Sequence, residues 1–144
     1  MTAFIVPLHA PAATDAETSG PKAANLAMLT QAGLPTPGGF CLTAAAYRRQ
    51  VAMLGLSDAL TQFGSADPRA ERRLSVEIRL GLYERPIAPE IADPLLAAWH
   101  GGRKLSPGPW AVRSSALIED RADANFAGQF ESFLGIDNET DFLT

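Results

Sequence analysis

The sequence predicts an α+β lobe, α/β in type, in which a small sheet frames a helical middle segment. Near both ends of the chain apolar and polar residues alternate, which is typical of strands. Between Thr43 and His100 apolar residues recur at helical spacing instead. The 144 residues, 47% of them hydrophobic and 19% charged, suit one globular domain that buries its own core.

The composition also excludes several classes of function. A net charge of −4 argues against nucleic acid or an anionic membrane as the main partner, because such surfaces need clustered Lys and Arg. No apolar run approaches a membrane span, and the first eight residues lack the basic start of a signal peptide. The single Cys41 rules out an intramolecular disulfide and fits a reducing compartment, so we expect a cytoplasmic protein.

The first third of the chain changes from strand to helix signals. Residues 3–8 predict a strand, and residues 10–19 predict a polar connection of small residues. Ser19 or Gly20 can cap a helix whose first residue is Pro21. We expect the core-facing side of this helix to hold Ala23, Leu26, Ala27, Leu29 and Thr30.

Lys22 is out of place in the first turn of that helix. A cation at the positive end of the helix dipole costs a few tenths of a kcal/mol unless a negative ligand lies nearby. Helix N-terminal amides together with a lysine form a phosphate site. A solvated lysine that points away from the dipole is the competing interpretation, and spacing alone favours it.

The middle of the chain is predicted to be helical after one short strand. Residues 40–42 form the strand, and Thr43 caps a helix that runs to about Leu54. Asp67 starts a further helix with Leu74, Ile78, Gly81 and Leu82 on its inner face. Interleaved glutamates indicate that the arginines of this helix form a solvated face: Arg69, Arg72, Arg73 and Arg79.

The last helix of the middle segment is expected to begin at Ala88–Pro89. Its inner face holds Ile91, Leu95, Leu96 and Trp99. Pro94 is predicted to bend or delay this helix, because proline lacks the N–H that a helix interior needs. Residues 101–107 are predicted to be a loop that returns the chain to a strand.

The polar chemistry of the chain is concentrated after Trp110. Residues 109–112 are an apolar run expected to be a buried strand, which delivers Arg113, Ser114 and Ser115 to a cleft. The guanidinium offers a planar fork of donors and the serines add neutral donors, a combination suited to an anion such as phosphate.

A second strand is predicted to follow an acidic loop. Alternation over residues 130–136 favours the strand, and Gly128 before it allows a close approach of backbone or ligand. Beyond this strand, Asn138 is placed to cap a helix, with Asp141 three residues on. Two strands are thus expected to flank one polar loop.

Other catalytic templates are absent from the sequence. His9, expected in a surface loop, and His100, expected at a helix end, are the only histidines, and with one cysteine they offer no metal-ligand spacing. There is neither a Gly-x-Ser-x-Gly elbow nor a Walker A loop. We therefore expect no catalytic residue and no metal ligand within this chain.

Four ordered blocks carry a resemblance to a known family. They read Gly-Pro-Lys-Ala-Ala-Asn-Leu at 20–26, Gly-Leu-Pro-Thr-Pro-Gly-Gly-Phe at 33–40, Ala-Val-Arg-Ser-Ser-Ala at 111–116 with Glu119–Asp120, and Phe-Ala-Gly-Gln at 126–129. They resemble the N-terminal nucleotide-binding domain of the phosphoenolpyruvate synthase and pyruvate phosphate dikinase family, which includes the rifampicin phosphotransferases. The similarity runs from about Phe4 to the C-terminus.

The resemblance implies an ATP-grasp fold and a set of nucleotide contacts. In this family ATP phosphorylates a histidine on a separate swivelling domain, which carries the phosphoryl group to pyruvate or to an antibiotic hydroxyl. The resemblance implies that Lys22 and Arg113 contact ATP phosphates, which overrides the solvated interpretation of Lys22. The resemblance also places Gly128 and Ser132 at the nucleotide, the latter where threonine is more usual, while Ser114 and Ser115 are assigned to it by their hydroxyl donors. Pro21 replaces a glycine of the family pattern and removes one backbone donor.

The resemblance also implies partners beyond the chain. Family members continue with a second lobe that supplies adenine contacts and Mg²⁺ ligands, and then with the phosphohistidine domain. Residues 1–144 are therefore expected to be the N-terminal lobe of a partial ATP-grasp domain, inactive alone and weak in ATP binding. Two alternatives stay open: a stand-alone nucleotide-binding or regulatory domain, and a scaffold that binds a partner. The sequence leaves the phosphoryl acceptor undecided between pyruvate and an antibiotic.

Overall fold

A computed structural model describes residues 3–115 and 132–144, and it confirms the α+β class. None of the helices in these two ranges is long and apolar enough to cross a membrane. The strands are Ile5–Pro7 (β1), Phe40–Leu42 (β2), Trp110–Arg113 (β3) and Ser132–Ile136 (β4). The helices are Ala16–Ser19 (α1), Pro21–Gln31 (α2), Ala44–Met53 (α3), Ser57–Phe63 (α4), Pro68–Glu84 (α5), Pro89–Leu105 (α6) and Glu139–Leu143 (α7).

The strands form two separate antiparallel pairs. β1 pairs with β2, with Val6 opposite Cys41, and β3 pairs with β4. Thr43, which is almost fully buried, joins the first pair to α3. Its hydroxyl donates to the Ala3 carbonyl at 3.0 Å and accepts from the Ala46 amide at 3.4 Å. The predicted cap at Thr43 is confirmed, and it also ties the helix to the start of the chain.

The segment between β1 and α2 is more regular than the sequence predicts. A 3-10 turn at Pro11–Thr14 and the short helix α1 replace the expected irregular connection. The Asp15 carboxylate accepts from the Glu17 amide and caps α1. Ala13 packs with Val6 and Ala27 in a buried cluster. The small alanine side chains therefore let the 3-10 turn lie close to β1 and α2.

Helix α2 begins at Pro21 with Gly20 as its cap, as predicted. Its buried face is only partly the expected one, since Ala24 and Ala27 are buried while Leu29 is 46% exposed. The helix therefore turns its small residues toward the 3-10 turn and β1. Larger side chains would keep these elements apart, which is the physical reason for the different face.

Helix α5 matches its predicted pattern. Leu74 is buried, and Ile78, Gly81 and Leu82 are half-buried against the core side. A Cβ at Gly81 would lie 2.9 Å from Leu56, so the glycine lets the α4 region pack closely. The four arginines of the predicted solvated face are all exposed: Arg69, Arg72, Arg73 and Arg79.

Helix α6 is longer at its end than the sequence predicts. It starts at Pro89 without delay and continues through Pro94, whose neighbourhood is exposed, so water can reach the carbonyl that proline leaves unbonded. The predicted loop at 101–107 is wrong in its first part, since the helix runs to Leu105, and His100 consequently lies inside the helix rather than at its end. A Cβ at Gly102 would lie 2.2 Å from the Trp110 ring, so tertiary packing uses this glycine within the helix.

Four aromatic rings connect β2, α6, β3 and α7. Trp99 stacks on Phe142 with ring centroids 4.4 Å apart and meets Trp110 edge to face at 5.3 Å. Phe40 lies 5.8 Å from Trp110 and 6.3 Å from Phe142. The Arg103 guanidinium lies 5.4 Å from the Trp99 ring centroid and adds a cation–π contact. We call these four rings the aromatic cluster.

The expected burial of the strand at 109–112 is wrong. Trp110 is half-buried in the aromatic cluster, whereas Ala111, Val112 and Arg113 are exposed. β4 pairs with this strand and is itself exposed except at Ile136. An apolar run predicts burial only where another layer covers it, and only the Trp110 end of this pair of strands packs against other described elements.

Candidate nucleotide-binding site

The N-terminus of α2 and the end of β3 meet in the structure. The Ser115 hydroxyl oxygen accepts a hydrogen bond from the Ala23 amide at 3.0 Å, in a partly buried position. Ala23 is the third residue of α2, and amides in the first turn have no partner within the helix. A side chain 92 positions away in the sequence therefore completes the start of this helix.

Gly20 makes the contact sterically feasible. Its φ of 78° lies in the region that favours glycine. A Cβ at this position would lie 1.7 Å from the Ser115 carbonyl oxygen and 2.4 Å from its hydroxyl oxygen. No residue with a side chain fits here unless the helix start or the strand end moves.

This contact brings together the two segments that carry the predicted cationic residues. Lys22 is half-buried and lies between Gly20, the cap of α2, and Ala23, the two residues that approach Ser115. Arg113 is exposed at the end of β3, two residues before Ser115. The structure thus joins the segments that carry the two charges.

Ser132 lies beside Arg113 across the strand pair. The two residues are register partners at the ends of β3 and β4. Residues directly opposite in an antiparallel pair project to the same face of the sheet. The predicted serine and arginine therefore share one face, while Gly128 lies outside the described residues.

The chemistry of the assembled segments is that of a donor-rich anion site. The Ser115 oxygen already accepts from α2, so its hydroxyl proton is the part that is available to donate. Ser114 beside it is half-buried and carries a second hydroxyl. Together with the positive end of the α2 dipole and two cations, these donors suit phosphate oxygens.

The described residues contain no cluster of metal-binding side chains. In residues 3–115 and 132–144, no three side chains of His, Cys, Asp or Glu lie close enough together to hold a metal ion. His9 is exposed in a turn, and His100 forms an ion pair with Glu139, its Nε2 lying 3.1 Å from the carboxylate.

Cys41 forms a hydrogen bond to the backbone just before the start of α2. Its thiol donates to the Ser19 carbonyl at 3.3 Å, directly before Gly20. Burial raises the pKa of this thiol, so at neutral pH it stays protonated and acts as a donor. Among the residues that the structure describes, the buried Ser19 hydroxyl has no hydrogen-bond partner.

Sequence reasoning missed the roles of Gly20 and Cys41. It treated Gly20 as a cap and Cys41 as a lone thiol, because both contacts join segments that are distant in the chain. The signal that could have pointed to Gly20 is its place before Pro21–Lys22, where a phosphate-binding helix start needs an unhindered backbone.

The fold is an α+β lobe in which the end of the strand carrying Arg113 meets the N-terminus of the helix carrying Lys22. A family model described as the pyruvate phosphate dikinase AMP/ATP-binding domain matches residues 16–144. The chain belongs to this family, as the four sequence blocks predict. Its members bind adenine nucleotides, which agrees with the donors at the α2 start.

Curated relatives bear out the same family. A phosphoenolpyruvate synthase of Neisseria meningitidis is 40% identical over 87% of this chain and 18% of its own length. A phosphoenolpyruvate synthase of Pseudomonas aeruginosa is 37% identical over 96% of this chain and 19% of its own. A rifampicin phosphotransferase of Streptomyces sviceus is 37% identical over 81% of this chain and 14% of its own. The chain therefore spans less than a fifth of the length of each of these relatives.

Proposed function

We propose that this chain is the part of an ATP-dependent dikinase-type phosphotransferase that holds the phosphates of ATP. The observation that carries the proposal is the contact between Ser115 and the Ala23 amide, which places the Arg113 strand end at the start of the Lys22 helix. Family membership supports ATP as the ligand. The proposed phosphate contacts are Lys22, Arg113, Ser114, Ser115, Gly128 and Ser132.

These groups suit phosphoryl transfer because that reaction depends on charge neutralisation and in-line positioning. Lys22 and Arg113 neutralise phosphate oxygens, and the planar guanidinium can bind two of them at once. The hydroxyls of Ser114, Ser115 and Ser132 donate neutral hydrogen bonds. No group of this chain is assigned to attack the phosphorus atom or to leave it.

We propose that the remaining parts of the reaction lie outside residues 1–144. These parts are the adenine-enclosing lobe of an ATP-grasp domain, the Mg²⁺ ligands and the swivelling histidine that carries the phosphoryl group to pyruvate or to an antibiotic hydroxyl. The lengths of the curated relatives support this division. Without these parts, exposed contacts are worth at most about 1 kcal/mol each, so the isolated chain binds ATP weakly and does not turn it over.

Charge removal at the two cations tests the phosphate site. In the full-length protein, Lys22→Ala and Arg113→Ala should each raise the KM for ATP or lower kcat/KM by about tenfold or more, since each removes at least one charge-assisted hydrogen bond. Lys104→Ala and Arg79→Ala are the matched controls, because both residues are exposed on other helices. Near-normal ATP kinetics in both site variants would refute the phosphate roles.

A second experiment separates this function from self-sufficient catalysis. The isolated chain incubated with Mg²⁺ and radiolabelled ATP should acquire no acid-labile label, because the proposal assigns the phosphorylated histidine to a domain outside residues 1–144. Label that disappears in His9→Ala or His100→Ala would show that the chain phosphorylates itself. The same assay on the full-length protein should give acid-labile label that both variants retain.

A further inference from the structure

We infer that Gly20 and Ser115 are positioning residues that set the spacing between Lys22 and Arg113, an inference that rests on the proposed ATP site. The two residues form one junction between α2 and the end of β3. Lys22 lies two residues beyond Gly20, and Arg113 lies two residues before Ser115. A shift at this junction therefore changes the separation of the two cations directly.

The junction has no spare room. The Ser115 carbonyl oxygen occupies the place of a Gly20 side chain, at 1.7 Å from an ideal Cβ. This atom belongs to the backbone, so it cannot move away by changing a rotamer. A methyl group at residue 20 must therefore displace either the start of α2 or the end of β3.

The structure indicates which of the two moves. The start of α2 is anchored, since Ser19 is 3% exposed and its carbonyl accepts from the Cys41 thiol of β2. β3 is exposed beyond Trp110 and pairs with the exposed strand β4. The strand end is thus the less constrained partner, and Gly20→Ala should push Arg113 away from Lys22.

The Ser115 hydroxyl holds the junction closed. It satisfies the Ala23 amide, which would otherwise be unpaired in a partly buried position. This bond also means that the Ala23 amide is already occupied and does not itself bind phosphate. Ser115 therefore aligns the strand end with the helix through its oxygen, while its proton faces any anion at the site.

Gly33 offers a matched control for Gly20. Both glycines flank α2 and have nearly the same positive φ, 76° for Gly33 and 78° for Gly20. A Cβ at Gly33 would meet nothing within 4 Å, whereas one at Gly20 would meet Ser115. Gly33→Ala thus tests a side chain at positive φ without a steric clash, whereas Gly20→Ala tests one at positive φ that also clashes with Ser115.

The experiment compares the two variants in the full-length protein. Both should unfold at a lower temperature, but only Gly20→Ala should raise the KM for ATP by about tenfold or more, as loss of one charge-assisted phosphate contact would. Ser115→Ala should raise this KM by a smaller factor and speed amide hydrogen exchange in the first turn of α2. The Ser106 hydroxyl has no role at the junction, so Ser106→Ala should change neither the KM for ATP nor amide hydrogen exchange in α2.

The outcomes separate this inference from the proposed function. If Lys22→Ala and Arg113→Ala weaken ATP use while Gly20→Ala behaves like Gly33→Ala, the positioning role is overturned and the ATP site stands. If the unmodified protein does not bind ATP, both are overturned. Unchanged exchange at α2 in Ser115→Ala would also overturn the inference, and this measurement does not depend on activity.

Discussion

The interpretation of Lys22 depends on a segment that is distant in the sequence. From spacing alone, a lysine in the first turn of a helix is most simply a solvated side chain. The structure places the end of β3 against the same helix turn, through the bond between Ser115 and Ala23. Under the proposed function, an ATP phosphate bound at this junction would offset the unfavourable position of the cation at the positive end of the helix dipole.

Cys41 supports a prediction about reactivity. Its thiol is 8% exposed, and burial raises its pKa above the ordinary 9.0, so the reactive thiolate is scarce at neutral pH. We expect iodoacetamide to alkylate Cys41 more slowly in the folded protein than in urea, because burial both lowers the thiolate fraction and limits access of the reagent. Equal rates in the two states, measured by mass spectrometry, would contradict the burial.

The same shift in pKa has a consequence for stability. The folded state holds the thiol proton more tightly than the unfolded state does. The stability that the protonated Cys41 thiol contributes is therefore complete below pH 9.0 and is lost as the pH rises through the folded pKa. Cys41→Ala should remove this alkaline dependence. Unfolding temperatures measured between neutral pH and pH 10 check the sign.

Helix caps are the clearest features at the scale of single elements. Asp67 begins α5 by accepting from the amides of Arg69 and Ala70 at 2.8 and 3.0 Å. The backbone bond from Ala70, followed by that from Arg69, lowers the pKa of this carboxyl below 3.8. The negative charge at the helix start is therefore favoured in the folded state.

Replacement of this cap gives a prediction with a pH signature. Asp67→Ala should lower the Tm by a few degrees at neutral pH, because two amides lose their acceptor. The stabilisation by Asp67 is present above pH 3.8 and is lost as the pH falls through the folded pKa, so the difference between variant and parent should shrink in acid.

Asp58→Ala is the control for the cap. Asp58 is exposed in the first turn of α4 and caps no amide in the described structure, so its loss should have a smaller effect. Asp67→Asn should retain most of the stability, since asparagine is also a good cap. A Tm unchanged by Asp67→Ala at neutral pH would count against the cap.

At the scale of the whole molecule, the aromatic cluster joins elements from three parts of the chain. Trp99 is 3% exposed and contacts both Trp110 and Phe142. Trp99→Ala should cost about 3–5 kcal/mol of unfolding free energy, the usual range for a large buried aromatic residue. Urea unfolding followed by circular dichroism measures this loss.

The matched control for the cluster is Tyr83→Ala. Tyr83 is 71% exposed on α5, so its replacement should change the unfolding free energy by less than about 0.5 kcal/mol. Comparable losses in the two variants would show that the cluster does not connect the strands and α7 to the helical segment.

Features with short-range causes were predicted from the sequence. The α+β class, the caps at Gly20, Thr43, Asp67 and Asn138, and the inner face of α5 are confirmed. Each depends on residues within a few positions of one another, whose propensities and hydrogen bonds act in any chain context. The family also followed from the sequence, because its motifs are short ordered blocks.

Features with long-range causes were decided by the tertiary structure. The helix continues over 101–105, where Trp110 packs on Gly102, and β3 is exposed beyond Trp110. The candidate site itself depends on the hydrogen bond between Ser115 and the Ala23 amide, and on the absence of a side chain at Gly20, which would clash with Ser115. A sequence pattern records which side chains a segment carries, whereas the meeting of two segments depends on how all the intervening elements pack.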